Sequence, residues 1–140
     1  MSQSEAPAPA LVEPPVTAAS APFWDATRER RLVLPWSTAT GRAVWYPRDV
    51  DPAAPDRPFE WREAAGTGTV YAAGVHHRPG PGRDPGDGPY VVALVDLPEG
   101  VRMMTNIVGC PPGDVTVGMA VRLVWQPLSD GRHLPQFTPA

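Results

Sequence analysis

The side chains that could do chemistry are sparse in this chain of 140 residues. His76 and His77 are adjacent in a run of strand-forming residues, and neighbouring strand residues point to opposite faces, so the pair cannot bind one metal ion from one face. Cys110 precedes two prolines and has no sequence neighbour that would activate its thiolate. All twelve basic residues are arginine, which excludes Schiff-base chemistry and a phosphate-loop lysine. No catalytic residue is therefore predicted.

Three polar residues remain as predicted contacts to a ligand or a partner: His77, Arg78 and Asn106. His77 and Arg78 end a predicted strand, where they suit a polar contact to a ligand phosphate or to a protein. The plainer alternative is an ordinary strand-end histidine followed by a solvated arginine. Asn106 lies in an otherwise apolar predicted strand, where its amide either bonds loop backbone or faces a ligand.

The elements that must position these residues read as one small β-barrel. Strand-like runs are predicted at residues 69–76, 90–97, 102–108 and 119–125, with a short last strand at residues 134–137. Glycine, proline and aspartate clusters separate them, and no helical period intervenes. Short strands at near-regular spacing are typical of a barrel or sandwich rather than of a βαβ sheet.

The part before the barrel divides in two. Residues 1–21 are almost entirely alanine, proline, serine and glutamate, a composition that buries too little apolar area to order a chain, so they are predicted to be a disordered leader. A short helix is predicted from Phe23, with Pro22 in its first turn. It opens a segment of residues 22–58 that is rich in turn formers, and the barrel is predicted over residues 59–140.

Bulk composition excludes several classes. The net charge is −3, and no cluster of basic residues offers the footprint that a nucleic-acid backbone requires, so no nucleic-acid partner is expected. No apolar run is long enough to span a bilayer, and the N-terminus lacks the pattern of a secretory signal. The single cysteine fits a reducing compartment. We expect a cytoplasmic protein without a membrane contact.

A resemblance to a known family rests on the order of several motifs. They are Phe23-Trp24, Tyr46-Pro47-Arg48, Gly66-Thr67-Gly68-Thr69-Val70-Tyr71, His77-Arg78-Pro79, Pro89-Tyr90-Val91-Val92, Thr105-Asn106-Ile107-Val108-Gly109 and Val117-Gly118-Met119. From Phe23 to Ala140 the chain resembles the DUF35 family, whose members join an OB-fold barrel to an N-terminal rubredoxin-like zinc ribbon. The resemblance implies a mainly β protein with an OB-fold barrel.

The chain departs from that family at the metal. The family places two Cys-x-x-Cys pairs in the ribbon, and the matching positions here are Ser37 and Thr40, then Asp51 and Ala54. Structural zinc takes four thiolate or imidazole ligands in a tetrahedron, which these side chains do not supply. We therefore predict a degenerate, metal-free ribbon and no cofactor.

The resemblance also implies a function. DUF35 proteins pair with thiolase-superfamily enzymes, so the chain is expected to be a non-catalytic subunit that supports a thiolase, acyltransferase or retro-aldolase in lipid or polyketide metabolism. A hot-dog-fold hydratase is a further implied partner, and acyl-CoA is implied at the interface. Partner docking is expected through Phe23, Trp24, Trp36 and Trp45. A stand-alone acyl-CoA-binding module is the alternative, and an enzyme using His77 as a base is a weaker one.

Overall fold

The structure, a computed structural model, describes residues 13–77 and 88–140. Its elements, in chain order, are α1 (Ala21–Thr27), β1 (Val33–Trp36), β2 (Glu60–Glu63), β3 (Thr67–His76), β4 (Tyr90–Asp96), β5 (Arg102–Ile107), β6 (Ala120–Pro127) and β7 (His133–Pro139), with a 3-10 turn at Pro112–Asp114 before β6. Within these residues, no helix has the length and apolar character needed to cross a membrane.

Strands β3 to β7 close into a barrel in the order β3-β4-β5-β7-β6. Neighbours are antiparallel except β5 and β7, which run parallel where Ile107 meets Phe137. This order, with the third and fifth barrel strands in parallel contact, is that of an OB-fold, so the predicted fold class is confirmed. The predicted strands end within two residues of the observed ones.

The barrel interior is filled by alternate residues of each strand. In β4, Val91, Ala93 and Val95 point inward and are 2% exposed or less, while Val92 and Leu94 are half-buried on the outer face. Phe137 of β7 is fully buried in the same core. Because β4 is apolar on both faces, its outer face can also pack against another part of the protein or against a partner.

The ribbon segment keeps its two turns without the thiolates. Ser37 and Asp51 are each 2% exposed. The Ser37 hydroxyl oxygen accepts a hydrogen bond from the Thr40 N–H (3.2 Å), and Asp51 Oδ1 accepts one from the Ala53 N–H (2.9 Å). The Ala54 N–H donates to the Asp51 carbonyl at 3.1 Å. Local side-chain-to-backbone bonds of this kind hold turns in many loops.

Helix α1 lies against the beginning of β7. The Thr27 hydroxyl donates to the Trp24 carbonyl (2.6 Å) and accepts from the His133 N–H (3.3 Å). His133 Nδ1 donates to the Thr27 carbonyl at 2.8 Å, since a carbonyl can only accept. These bonds fix the helix on the barrel although the helix itself has only seven residues.

Phe23 and Trp24, two of the predicted docking residues, are buried in the chain itself. Phe23 is 4% and Trp24 is 7% exposed, so little of either ring is left for a partner. The two rings meet edge to face at 4.9 Å, and Phe23 also packs on Trp45 at 5.1 Å. The ribbon segment and Arg132 thus complete their surroundings. The other two predicted docking aromatics, Trp36 and Trp45, are half-buried.

Part of the predicted leader has contacts within the described residues, and residues 1–12 lie outside them. Glu13 contacts Ser129, a residue 116 positions away. Pro14 accepts a hydrogen bond from Arg132. Helix α1 begins at Ala21, the last residue of the predicted leader.

Replacing Trp24 with alanine should lower the free energy of unfolding by about 3–5 kcal/mol, the usual cost of removing a buried aromatic side chain. Trp36→Ala, which removes a half-buried indole beneath Arg62, should cost clearly less. Urea unfolding of both variants, followed by circular dichroism, makes the comparison. A smaller loss for Trp24→Ala than for Trp36→Ala would contradict the assignment of Trp24 to the core.

Candidate functional site

A cleft of about 620 Å³ opens between the barrel, the ribbon segment and the chain that precedes α1. It is lined by Pro14, Pro15, Thr17, Ser20, Phe23, Trp24, Trp45, Tyr46, Pro47, Val92, Met103, Met104, Thr105, Asn106, Leu134 and Pro135. These residues include no carboxylate, imidazole, thiol or cationic side chain. The cleft has the size and apolar character of a binding site.

The floor of the cleft is the outer face of β4 and β5. Val92 pairs with Asn106, and Leu94 pairs with Met104, so these side chains share that face. Met104 is 58% exposed. A large exposed apolar side chain at the mouth of an apolar cleft is typical of an interaction surface.

Asn106 is the one predicted polar contact that the cleft includes. Its Nδ2 donates to the Val91 carbonyl at 2.9 Å, which fixes the orientation of the amide. The acceptor lies in strand β4 and not in a loop as the sequence suggested, and the same side chain also lines the cleft. Asn106 stays a candidate contact to whatever fills the cleft.

An aromatic wall faces this floor. Trp45 packs between Phe23 and Tyr46 with its ring tilted against both, and the ring centroids lie 5.1 and 5.0 Å away. Tyr46 is 53% exposed at the mouth. The Trp45 Nε1–H is buried and has no hydrogen-bond acceptor among the described residues. A buried donor without an acceptor is costly.

Arg132 holds the remaining wall in place, and nothing in the sequence signalled it. Its side chain is 5% exposed. Its Nε donates to Asp130 Oδ2 (2.7 Å), and one terminal nitrogen donates to the Pro14 carbonyl (2.8 Å). The guanidinium also lies 4.8 Å from the centre of the Trp24 ring, in cation–π contact. The Glu13 carboxylate lies 4.0 Å from it.

This arrangement shifts the acidity of Asp130. Desolvation favours the neutral acid, but hydrogen bonds from the backbone N–H and the guanidinium of Arg132 outweigh it. The positive charges of Arg132 and Arg28 act in the same direction, so the pKa of Asp130 lies below its usual value. The carboxylate is therefore held in the charged form that Arg132 needs.

One of the other predicted contacts, His77, lies away from the cleft. His77 follows β3 and is exposed, and it does not line the cleft. Arg78 lies outside the described residues. His76 stacks on Tyr90 with ring centroids 5.1 Å apart. Among residues 13–77 and 88–140, no three histidine, cysteine, aspartate or glutamate side chains come together as a metal site would require.

The chain is similar in sequence to several known proteins. The family model for the C-terminal OB-fold domain of ChsH2 matches residues 61–126. A DUF35 domain-containing scaffold protein of Methanocaldococcus jannaschii is 31% identical over 109 residues, which are 76% of this chain and 77% of that protein. The probable enoyl-CoA hydratase alpha subunit of Thermomonospora curvata is 41% identical over 120 residues, or 84% of this chain. The chain spans only 37% of that subunit.

Among solved structures, a chain of the Ltp2-ChsH2(DUF35) aldolase is similar over its whole length. The TM-score is 0.80 and the sequence identity is 38%, with 91% of this chain and 98% of that chain covered. Similarity of this extent includes the segment before the barrel as well as the barrel itself.

The stabilising effect of Asp130 should disappear in acid. Because its pKa is lower in the folded than in the unfolded chain, its contribution is full above the unfolded pKa of about 4 and is lost as the pH falls through the folded value. Asp130→Asn should therefore have a lower melting temperature than the wild type at pH 7, and the difference should shrink below about pH 4. The test is to measure the melting temperatures of the wild type and of Asp130→Asn at several pH values from pH 7 to below about pH 4. A difference that stays constant into strong acid would contradict it.

Proposed function

The chain belongs to the DUF35 family of OB-fold proteins, and from this premise we propose that it is a non-catalytic accessory subunit of a thiolase-like enzyme. The partner would act on acyl-CoA or acyl-carrier substrates, as a thiolase, acyltransferase or retro-aldolase. The similarity to a chain of the Ltp2-ChsH2(DUF35) aldolase supports this choice of partner. The similarity to the hydratase alpha subunit of Thermomonospora curvata supports a hydratase as a second candidate partner. We place the complex in the cytoplasm.

The observation that carries the proposal is the chemistry of the cleft. General acid–base or nucleophilic catalysis needs an ionisable or nucleophilic side chain within reach of a substrate. The cleft lining supplies none apart from the hydroxyls of Thr17, Ser20, Tyr46 and Thr105 and the amide of Asn106. The site can bind and shape an occupant, and it leaves the reaction to the partner.

The same observation disfavours the stand-alone acyl-CoA module. The nucleotide end of CoA carries phosphates, which proteins bind with arginine, lysine or grouped backbone N–H donors. Within the part of the chain that the structure describes, no cationic side chain lines the cleft, and Arg132 beside it is already bound to Asp130 and Pro14. Acyl-CoA at the interface would therefore take its phosphate contacts from the partner.

The partner surface is proposed to be the mouth of the cleft, where Tyr46 and Met104 are exposed. Met104→Glu should weaken association with the thiolase-like enzyme at least about tenfold, because a carboxylate would be buried without a partner. Val117→Glu is the matched control: Val117 is 72% exposed and does not line the cleft. Binding is measured by calorimetry with a thiolase-like enzyme of the organism that encodes this chain, after both variants are shown to melt like the wild type. Equal losses in the two variants, or no binding by the wild type, would contradict the proposal.

We also propose that the protein works without zinc. Ser37 and Asp51 already bond to the turns that a metal would otherwise organise. Elemental analysis of the purified chain should find far less than one zinc ion per molecule. A variant with cysteine at positions 37, 40, 51 and 54 should gain zinc and serves as the positive control. One tightly held zinc ion in the wild type would overturn this prediction.

A further inference from the structure

Residues 13–20, here called the strap, form one side of the cleft through Pro14, Pro15, Thr17 and Ser20. The strap is fixed at its first residue. The Glu13 carboxylate accepts hydrogen bonds from the Ser129 N–H (2.9 Å) and the Ser129 hydroxyl (2.8 Å). These contacts tie the beginning of the strap to the loop between β6 and β7.

The strap is also fixed at its last residue. Thr17 and Ser20 exchange hydrogen bonds, each backbone N–H donating to the other's hydroxyl at 3.0 and 3.2 Å. Ser20 leads directly into α1. The Arg28 side chain at the end of α1 donates to the Asp130 carbonyl at 2.6 Å. Both ends of the strap are thus connected to the same β6–β7 loop, one directly and one through the helix.

Arg132 makes the strap and the barrel depend on each other. With the strap in place, the Arg132 guanidinium donates to the Pro14 carbonyl at 2.8 Å and lies 4.0 Å from the Glu13 carboxylate. It also donates to Asp130. If the strap lifted, a side chain that is 5% exposed would lose two of its three oxygen partners. A buried cation without partners is strongly unfavourable, so lifting requires Arg132 to reach water as well.

We propose that Arg132 is the positioning residue of the cleft and that the strap is a movable wall which it latches shut. The closed strap completes the surface that the partner contacts. Partner binding and latch closure then stabilise each other by the same factor, as linkage requires. The coupling to a partner rests on the proposed function, whereas the latch does not.

The latch is tested on the full chain alone, by amide hydrogen exchange followed by NMR. The Ser129 N–H is protected in the closed state because it donates to Glu13. Glu13→Ala should speed its exchange at least about tenfold, the effect of losing a bond to a charged group. Glu60→Ala, which removes an exposed carboxylate that pairs with Arg62 on β2, should leave it unchanged. Unchanged exchange in Glu13→Ala would overturn the latch.

Arg132 itself is tested by two substitutions. Arg132→Lys keeps the charge but replaces the planar guanidinium fork with a single ammonium group, which fits the positions of Asp130 and Pro14 less well. It should give Ser129 exchange between the wild type and Arg132→Met. If Arg132→Met does not fold, Arg132→Lys and Glu13→Ala carry the test. Exchange in Arg132→Lys equal to the wild type would show that the arginine fork does not hold the strap.

The coupling is tested with the same thiolase-like enzyme that is used for the Met104→Glu comparison. Saturating enzyme should slow Ser129 exchange in the wild type, and Glu13→Ala should bind the enzyme at least about fivefold more weakly than Glu60→Ala. Equal affinities would overturn the coupling. An enzyme that binds neither the wild type nor the variants would overturn the proposed function and the coupling with it, while faster exchange in Glu13→Ala would still support the latch.

Discussion

A buried guanidinium has five N–H donors that must find acceptors, and this requirement organises the molecule around Arg132. The side chain lies where the β6–β7 loop, α1 and the chain before α1 meet. Asp130 comes from the loop, the Trp24 ring from the helix and the Pro14 carbonyl from the preceding segment. None of the three parts could move away without leaving the charge of Arg132 poorly compensated.

That constraint explains why a short helix is stable here. Seven residues are too few for a helix to persist in water on its own propensity. Thr27 bonds to His133, and Trp24 lies beneath Arg132, so tertiary contacts replace the missing length. The helix is best described as part of the barrel surface, because it lies against β7 and forms one side of the cleft through Phe23 and Trp24.

The barrel could be predicted because its signals are local. The run from Tyr90 to Val95 and the breakers on either side fix β4 without reference to any other segment. The burial of Trp24 could not be predicted, because it depends on Arg132, which is 108 positions away in the chain. The contact of Glu13 with Ser129 spans 116 positions. It could not be predicted either, because the alanine- and proline-rich composition around Glu13 indicates a disordered segment. Asn106 was identified because a polar residue interrupts an apolar strand, which is again a local signal.

The ribbon segment holds its two turns through local hydrogen bonds. Ser37 and Asp51 each fix only their own turn, whereas a zinc ion with ligands in both turns would fix them with respect to each other. Packing helps to place the segment, because the Trp45 ring lies 5.1 Å from the Phe23 ring of α1. This contact is also part of the aromatic wall of the cleft. The ribbon segment thus depends on the helix, the helix depends on Arg132, and the shape of the cleft depends on the strap that Arg132 holds.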